Sequence, residues 1–136
     1  MKFFLKDIKK YKIKNIKNKD SLISIIDNDE IPQINFKRVF FINCNQSNTR
    51  GNHAHKKCYQ FIFSLIGEII LVCDDGFKKK EIILEPMKNG FLVPPTIWAM
   101  QKYPKKNSML GVICDKSFDE KDYIRDYNTF KKIYKL

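Results

Sequence analysis

Apolar and polar positions along this chain fall into short runs separated by turn residues, with little helical spacing. Runs of roughly four to eight residues, rich in branched and aromatic side chains, predict strands. Tyr11 to Ile16 alternates apolar residues with lysine and asparagine, as an edge or exchanged strand does. Leu22 to Ile26 is a second short strand, followed by a loop from Asp27 to Pro32. Lys37 to Asn43, built on Val39, Phe40, Phe41 and Ile42, is a strong strand, and Asn43 to Arg50 reads as a polar loop. Gln60 to Ile66 ends at Gly67; Glu68 to Cys73 and Lys78 to Leu84 flank the hairpin turn Asp74-Asp75-Gly76. After the loop Glu85 to Gly90 come Phe91 to Val93, Ile97 to Tyr103 and Ser108 to Cys114. Only the tail, about Glu120 to Tyr134, has helical spacing. Nine or ten short strands with evenly spaced turns predict an all-β chain, a double-sheet jelly roll with a short C-terminal helix.

Length adds that residues 1–136 make one domain, since no linker, repeat or low-complexity segment divides them. No apolar run approaches the length of about eighteen that a membrane span needs. The apolar part of Met1 to Asp7 is too short for a signal peptide. The four cysteines, Cys44, Cys58, Cys73 and Cys114, show no C-x-x-C spacing and mostly sit in apolar runs. They read as buried free thiols of a soluble cytoplasmic protein with no membrane partner.

The net charge of +11 invites a nucleic-acid partner. The basic residues are overwhelmingly lysine, however, and asparagine and isoleucine are over-used beside it. That pattern is a codon-composition bias, and no stacking-aromatic motif of an RNA-binding sheet accompanies it. No nucleic-acid partner is expected. The bias makes the three arginines, Arg38, Arg50 and Arg125, stand out. A guanidinium forks onto phosphate in a way that lysine does not. Arg50, three residues before His53, is the best candidate for a phosphate ligand.

His53-Ala54-His55 holds the only two histidines. Two apart on a strand, their imidazoles face the same way. Such a pair suits a metal or a proton-transfer site. Four residues separate His55 from Gln60, and six more lead to Gly67. This spacing resembles the first cupin motif, in which two histidines and a glutamate converge inside a small jelly roll. Gly90, Pro94 and Pro95 stand where the second motif starts, but the position of its third histidine, just after Trp98, is Ala99. A metal site wants three or four good ligands. Neutral Gln60 and Ala99 do not supply them, so no metal is expected and proton transfer by free imidazoles is the better reading. The plainer alternative is a pair of hydrogen-bonded histidines lining a pocket that only binds.

The resemblance narrows on Arg38-Val39-Phe40-Phe41, Arg50-Gly51-Asn52-His53-Ala54-His55-Lys56-Lys57, Gln60, Asp74-Asp75-Gly76, Pro94-Pro95, Trp98 and Asp122-Tyr123-Ile124-Arg125-Asp126-Tyr127 with Phe130. Together these resemble the metal-independent nucleotide-sugar 3,4-ketoisomerases, from about Lys37 to Phe130. The resemblance implies a small cupin that converts dTDP-4-keto-6-deoxyglucose to the 3-keto sugar without a cofactor. It also implies a cytoplasmic place in deoxyamino-sugar and cell-surface glycan biosynthesis, and a homodimer that often exchanges N-terminal strands, here about residues 1–26. Two departures are visible: the family commonly has tyrosine in the strand holding Phe40 and Phe41, and histidine at Ala99.

Moving a ketone from C4 to C3 requires a base at C3, an enediol or enediolate, and a proton returned to C4. We assign His55 as the carbon base and His53 as the partner that moves a proton between O3 and O4, with the reverse allocation open. Arg50 clamps the diphosphate. Gln60 meets the sugar, fixes a tautomer, or is a core glutamine. Asn52 is a substrate-binding candidate that strand parity turns away unless a bulge intervenes. Trp98 stacks on thymine or belongs to the core, and parity with Ala99 turns it outward. Arg125, Tyr123 and Tyr127 are expected to pack the tail rather than touch substrate. Two rival functions remain on the sequence: a 3,5-epimerase of the same pathway, and a non-catalytic cupin that binds a sugar nucleotide. The C4 configuration of the product is not legible.

Overall fold

The computed structural model describes residues 1–135. Its strands are β1 (Lys9–Lys12), β2 (Lys14–Lys17), β3 (Leu22–Ile25), β4 (Arg38–Cys44), β5 (Asn48–His55) and β6 (Gln60–Ile66). They continue as β7 (Ile69–Asp74), β8 (Lys79–Leu84), β9 (Asn89–Val93), β10 (Trp98–Tyr103), β11 (Ser108–Cys114) and β12 (Tyr123–Ile124), and the helix α1 (Tyr127–Ile133) closes the chain. One sheet runs β1-β9-β6-β11-β4 and the other β12-β5-β10-β7-β8, while β2 and β3 form a separate hairpin. Ile62, Leu110 and Val112 of the first sheet meet Leu71, Leu84 and Tyr103 of the second in one core. This is an all-β, cupin-type double-sheet jelly roll with a short C-terminal helix.

Local sequence explains the layers. In β4, Arg38, Phe40 and Ile42 turn inward while Val39 and Phe41 are exposed, a half-buried alternation. In β6, Phe61, Ile62, Phe63 and Ser64 are all buried. The second face of β6 is covered because Ile13, Ile31 and Ile34 of the N-terminal segment pack against Phe61 and Phe63. A methyl group added at Gly90 of β9 would collide with the Phe61 ring, so glycine leaves the room that ring occupies. All four cysteines are buried and unpaired.

Several boundaries differ from the sequence reading. Tyr11 to Ile16 is not one strand: Ile13, only 2% exposed, interrupts it and donates its N–H to the Lys88 carbonyl. Residues 9–12 then pair with β9 and residues 14–17 with β3. The polar loop ends early, because Asn48 to Arg50 join β5 and pair with Tyr103 to Gln101. The tail is α-helical only over α1, with a single 3-10 turn at Glu120–Asp122. Tyr123 and Ile124 instead form β12 against His55 and Ala54. The helix starts after Asp126, whose carboxylate accepts the Thr129 N–H at 2.8 Å as an N-cap.

Candidate active site

His53 and His55 share one face of β5, and Ala54 between them faces the other way into a cluster with Trp98, Ile124 and Phe130. The two imidazoles meet edge-on, with centroids 5.1 Å apart. Ala99 lies opposite His53 in the ladder and is buried in the main core.

Directly before the histidines the strand bulges. Gly51 and Asn52 have φ of 95° and 62°, and the ladder steps from Ala99–His53 to Met100–Gly51, passing over Asn52. That extra residue reverses the alternation. Arg50, an odd number of residues from His53, is thereby brought opposite Gln101 and onto the histidine face. The bulge that the sequence reading required for Asn52 therefore serves Arg50. Asn52 itself is exposed and lines a separate groove with Trp98, Met100 and Tyr127.

A cavity of about 150 Å³ results. Arg50, His53, Gln60, Gln101 and Arg125 give it polar walls; Phe40, Ile42, Ile62 and Val112 give it apolar ones. Of the two phenylalanines in β4, Phe40 faces this space and Phe41 is 54% exposed on the outside. Gln60 is buried with Nε2 donating to the Cys114 sulfur at 3.5 Å, and it also lines the cavity; the His55 tautomer is set by another residue. Gln101 is buried and its Oε1 has no hydrogen-bond partner.

His55 Nδ1 lies 2.9 Å from Asp122 Oδ2, and His55 Nε2 is buried without a partner. A carboxylate accepts only, so Nδ1 carries the proton and Nε2 presents the lone pair. Asp122 is held in turn, its oxygens accepting the N–H groups of Lys57 at 2.7 Å and Cys58 at 3.3 Å. Burial lowers the pKa of both imidazoles. His53 is pushed down to about 4 by burial and then by the neighbouring His55. His55 is lowered by burial, against the upward pull of its hydrogen bond to Asp122. Both are neutral near pH 7.

Tyr123 packs on both rings, 4.3 Å from His55 and 5.1 Å from His53, and the Arg38 guanidinium donates to its hydroxyl at 3.4 Å. Arg125 stacks on Tyr123 at 4.3 Å and pairs with Glu120 at 2.7 Å. Placing Tyr123 and Arg125 only in tail packing was therefore too narrow: Arg125 lines the cavity and Tyr123 covers the imidazoles. Tyr127 does pack the tail, its hydroxyl donating to Asp74 at 2.7 Å. Trp98 is 8% exposed against Tyr127 and Phe130, on the sheet face away from the histidines. Neither Asn52 nor Trp98 joins the cavity.

Residues 6–135 match the family model described as FdtA, WxcM-like, C-terminal. The TDP-4-oxo-6-deoxy-α-D-glucose-3,4-oxoisomerase of Aneurinibacillus thermoaerophilus is 36% identical over 120 residues, 88% of this chain and 86% of the relative. The chain belongs to the FdtA family. Among solved structures, QdtA of Thermoanaerobacterium thermosaccharolyticum, a sugar 3,4-ketoisomerase in complex with TDP, has a TM-score of 0.89 and 28% identity, covering 97% of each chain. A single-residue variant of that enzyme, in complex with TDP-4-keto-6-deoxyglucose, has a TM-score of 0.89 and 27% identity over 97% of this chain and 96% of that one.

In this FdtA-family chain, His55, Cys58 and Asp122 bring one nitrogen, one sulfur and one oxygen within 4.8 Å of one another, the one such group among the described residues. Its chemistry does not suit a cation. Both Asp122 oxygens already accept N–H bonds, and the neighbouring Cys114 sulfur and then burial hold Cys58 as a thiol. The group reads as a hydrogen-bonded support for His55. Asp122 and Gln101 were not singled out as site residues from the sequence. For Asp122 the only signal is its place in the Asp122-Tyr123-Ile124-Arg125 run; for Gln101 it is the inward parity shared with Ala99.

Proposed function

We propose that the chain is a 3,4-ketoisomerase of TDP-4-keto-6-deoxyglucose, in which two neutral imidazoles move the protons. The observation that carries this reading is the carboxylate-held His55, with its unpartnered Nε2, packed behind His53, which lines an open pocket with both polar and apolar walls. The relatives reported above are oxoisomerases or ketoisomerases of such sugars, which favours isomerisation over 3,5-epimerisation or binding alone.

His55 Nε2 takes the proton from C3. Asp122 fixes the tautomer that this step needs and stabilises the imidazolium it creates. The electron pair becomes the C3–C4 double bond of an enediolate, with negative charge on O4. His53, neutral and in the cavity wall, passes a proton from O3 to O4. His55 then returns its proton to C4, leaving the ketone at C3. Arg50 and Arg125 supply positive charge for the diphosphate, and Gln60 and Gln101 offer amides to the sugar hydroxyls. The 3-keto product is a substrate class for amination, in keeping with a cytoplasmic sugar-nucleotide pathway. No helix is long and apolar enough to cross a membrane among the described residues.

In D₂O the parent should wash deuterium into C3 or C4 of TDP-4-keto-6-deoxyglucose, and His55→Asn should stop both exchange and isomerisation while the protein stays folded. Exchange at C5, or near-parental turnover by His55→Asn, defeats the assignment. NMR of the product also reports its C4 configuration.

A homodimer of single-domain protomers exchanging about residues 1–26 belongs to the same proposal. Its support is the β2–β3 hairpin, which stands outside both sheets with Ile16, Leu22 and Ile23 exposed at 44%, 59% and 52%. Light scattering should give twice the mass of 16.2 kDa; a monomer would refute it.

A further inference from the structure

The proton-transfer pair is not enclosed by the jelly roll alone. Strand β4, where the cavity wall has the apolar Phe40, offers no phenol to the imidazoles. Among the described residues, the tyrosine ring that packs on both imidazoles comes from the tail. Tyr123 is anchored by the β12–β5 ladder directly opposite His55. Its ring contacts the Arg125 guanidinium at 4.3 Å and the tilted His55 ring at 4.3 Å, and its hydroxyl accepts from Arg38 at 3.4 Å. Phe118 packs against it at 5.6 Å.

Resting on the proposed isomerase reading, we propose that Tyr123 is a positioning residue whose ring clamps His53 and His55 together and keeps water off them. Three consequences follow from the geometry. The ring lies against both imidazoles, and on this proposal it supplies part of the burial that disfavours the imidazolium. Arg125 stacks on the same ring, and its charge lowers both imidazole pKa values. And Asp122, its neighbour in sequence, is set on Nδ1 by the same turn, so one short segment both seats and covers the base.

The groups that face the pair from each surrounding element are Arg38 from β4, Asp122 and Glu120 from the turn before β12, Arg125 after it, and the two histidines themselves. The carboxylates raise and the guanidinium groups lower the imidazole pKa values; without the Tyr123 ring Asp122 keeps its backbone N–H partners and Arg125 its pair with Glu120. Loss of the ring should therefore let water in and move the imidazoles toward their ordinary value of 6.5.

With only two histidines, ring resonances titrated by NMR report each site without any turnover. Tyr123→Ala should raise the His53 midpoint by about one pH unit or more, and should carry the acid limb of kcat/KM upward with it. Tyr123→Phe, which keeps the ring and loses only the Arg38 contact, should hold the parental midpoints. Unchanged midpoints in a folded Tyr123→Ala protein overturn the proposal. So does an equal shift in both variants, which would assign the effect to the hydroxyl. Because the titration needs no catalysis, a parent that fails to isomerise the sugar would defeat the functional reading and leave this test standing.

Discussion

Asp122 decides what His55 is able to do. An isolated imidazole interconverts its tautomers, and burial alone weakens it as a base. A carboxylate at 2.9 Å from Nδ1 selects the Nε2 lone pair and partly restores basicity. Asp122→Asn offers an amide that presents either an acceptor or a donor to Nδ1. It should lower kcat about 10²–10⁴-fold. It also removes the group that raises the His55 pKa, so the acid limb of the pH profile should move to lower pH, the opposite of the shift expected for Tyr123→Ala. Steady-state rates from pH 4 to 8 test both the loss and its direction. The histidine pair was legible because two imidazoles two apart on a strand can only share a face. Their carboxylate partner was not, because 67 residues separate it from His55 and its role exists only where two chain segments meet.

The bulge in β5 is what makes a strand into a site. Regular alternation from His53 would turn Arg50 to the outer face; the left-handed Gly51-Asn52 pair corrects it. Gly51 meets backbone there, since an added Cβ would sit 2.9 Å from Met100 Cα and 3.1 Å from the Ala99 carbonyl, in a backbone region at φ 95°. Gly51→Ala should force the bulge to rearrange and carry Arg50 off the cavity. The expected result is a KM for the TDP-sugar raised about tenfold or more, equivalent to about 1.4 kcal/mol, with weakened TDP binding by calorimetry. Unaltered TDP affinity would show that Arg50 does not hold the diphosphate. The strands β4, β6, β10 and β11 were visible as apolar runs in the residue pattern, as were most turns. Asn48 to Arg50 looked like loop because their polar side chains hide a backbone that pairs with β10, and Tyr123-Ile124 looked helical because a two-residue strand is too short to show a period.

Across the whole chain, the tail closes what the two sheets leave open. Phe130 is fully buried against Trp98 and Ala54, and that packing fixes the segment carrying Asp122, Tyr123 and Arg125. Phe130→Ala should cost about 3–5 kcal/mol of local stability. Amide exchange should quicken in β12 and α1 before it does in the core strands, and isomerase activity should fall with tail docking. Equal exchange in tail and core would mean that the tail is not a separately anchored unit.

Some properties of this protein are consequences of order along the chain: strand content, the shared face of His53 and His55, the poor ligand set for a metal, and the likeness to sugar ketoisomerases. They depend on neighbours within a few residues, where backbone periodicity and spacing act directly. The inward turn of Arg50, the Asp122–His55 pair, the cover given by Tyr123 and the exclusion of Asn52 and Trp98 were settled by folding. Each depends on a register shift or on a contact between distant segments, and a linear pattern carries no record of either.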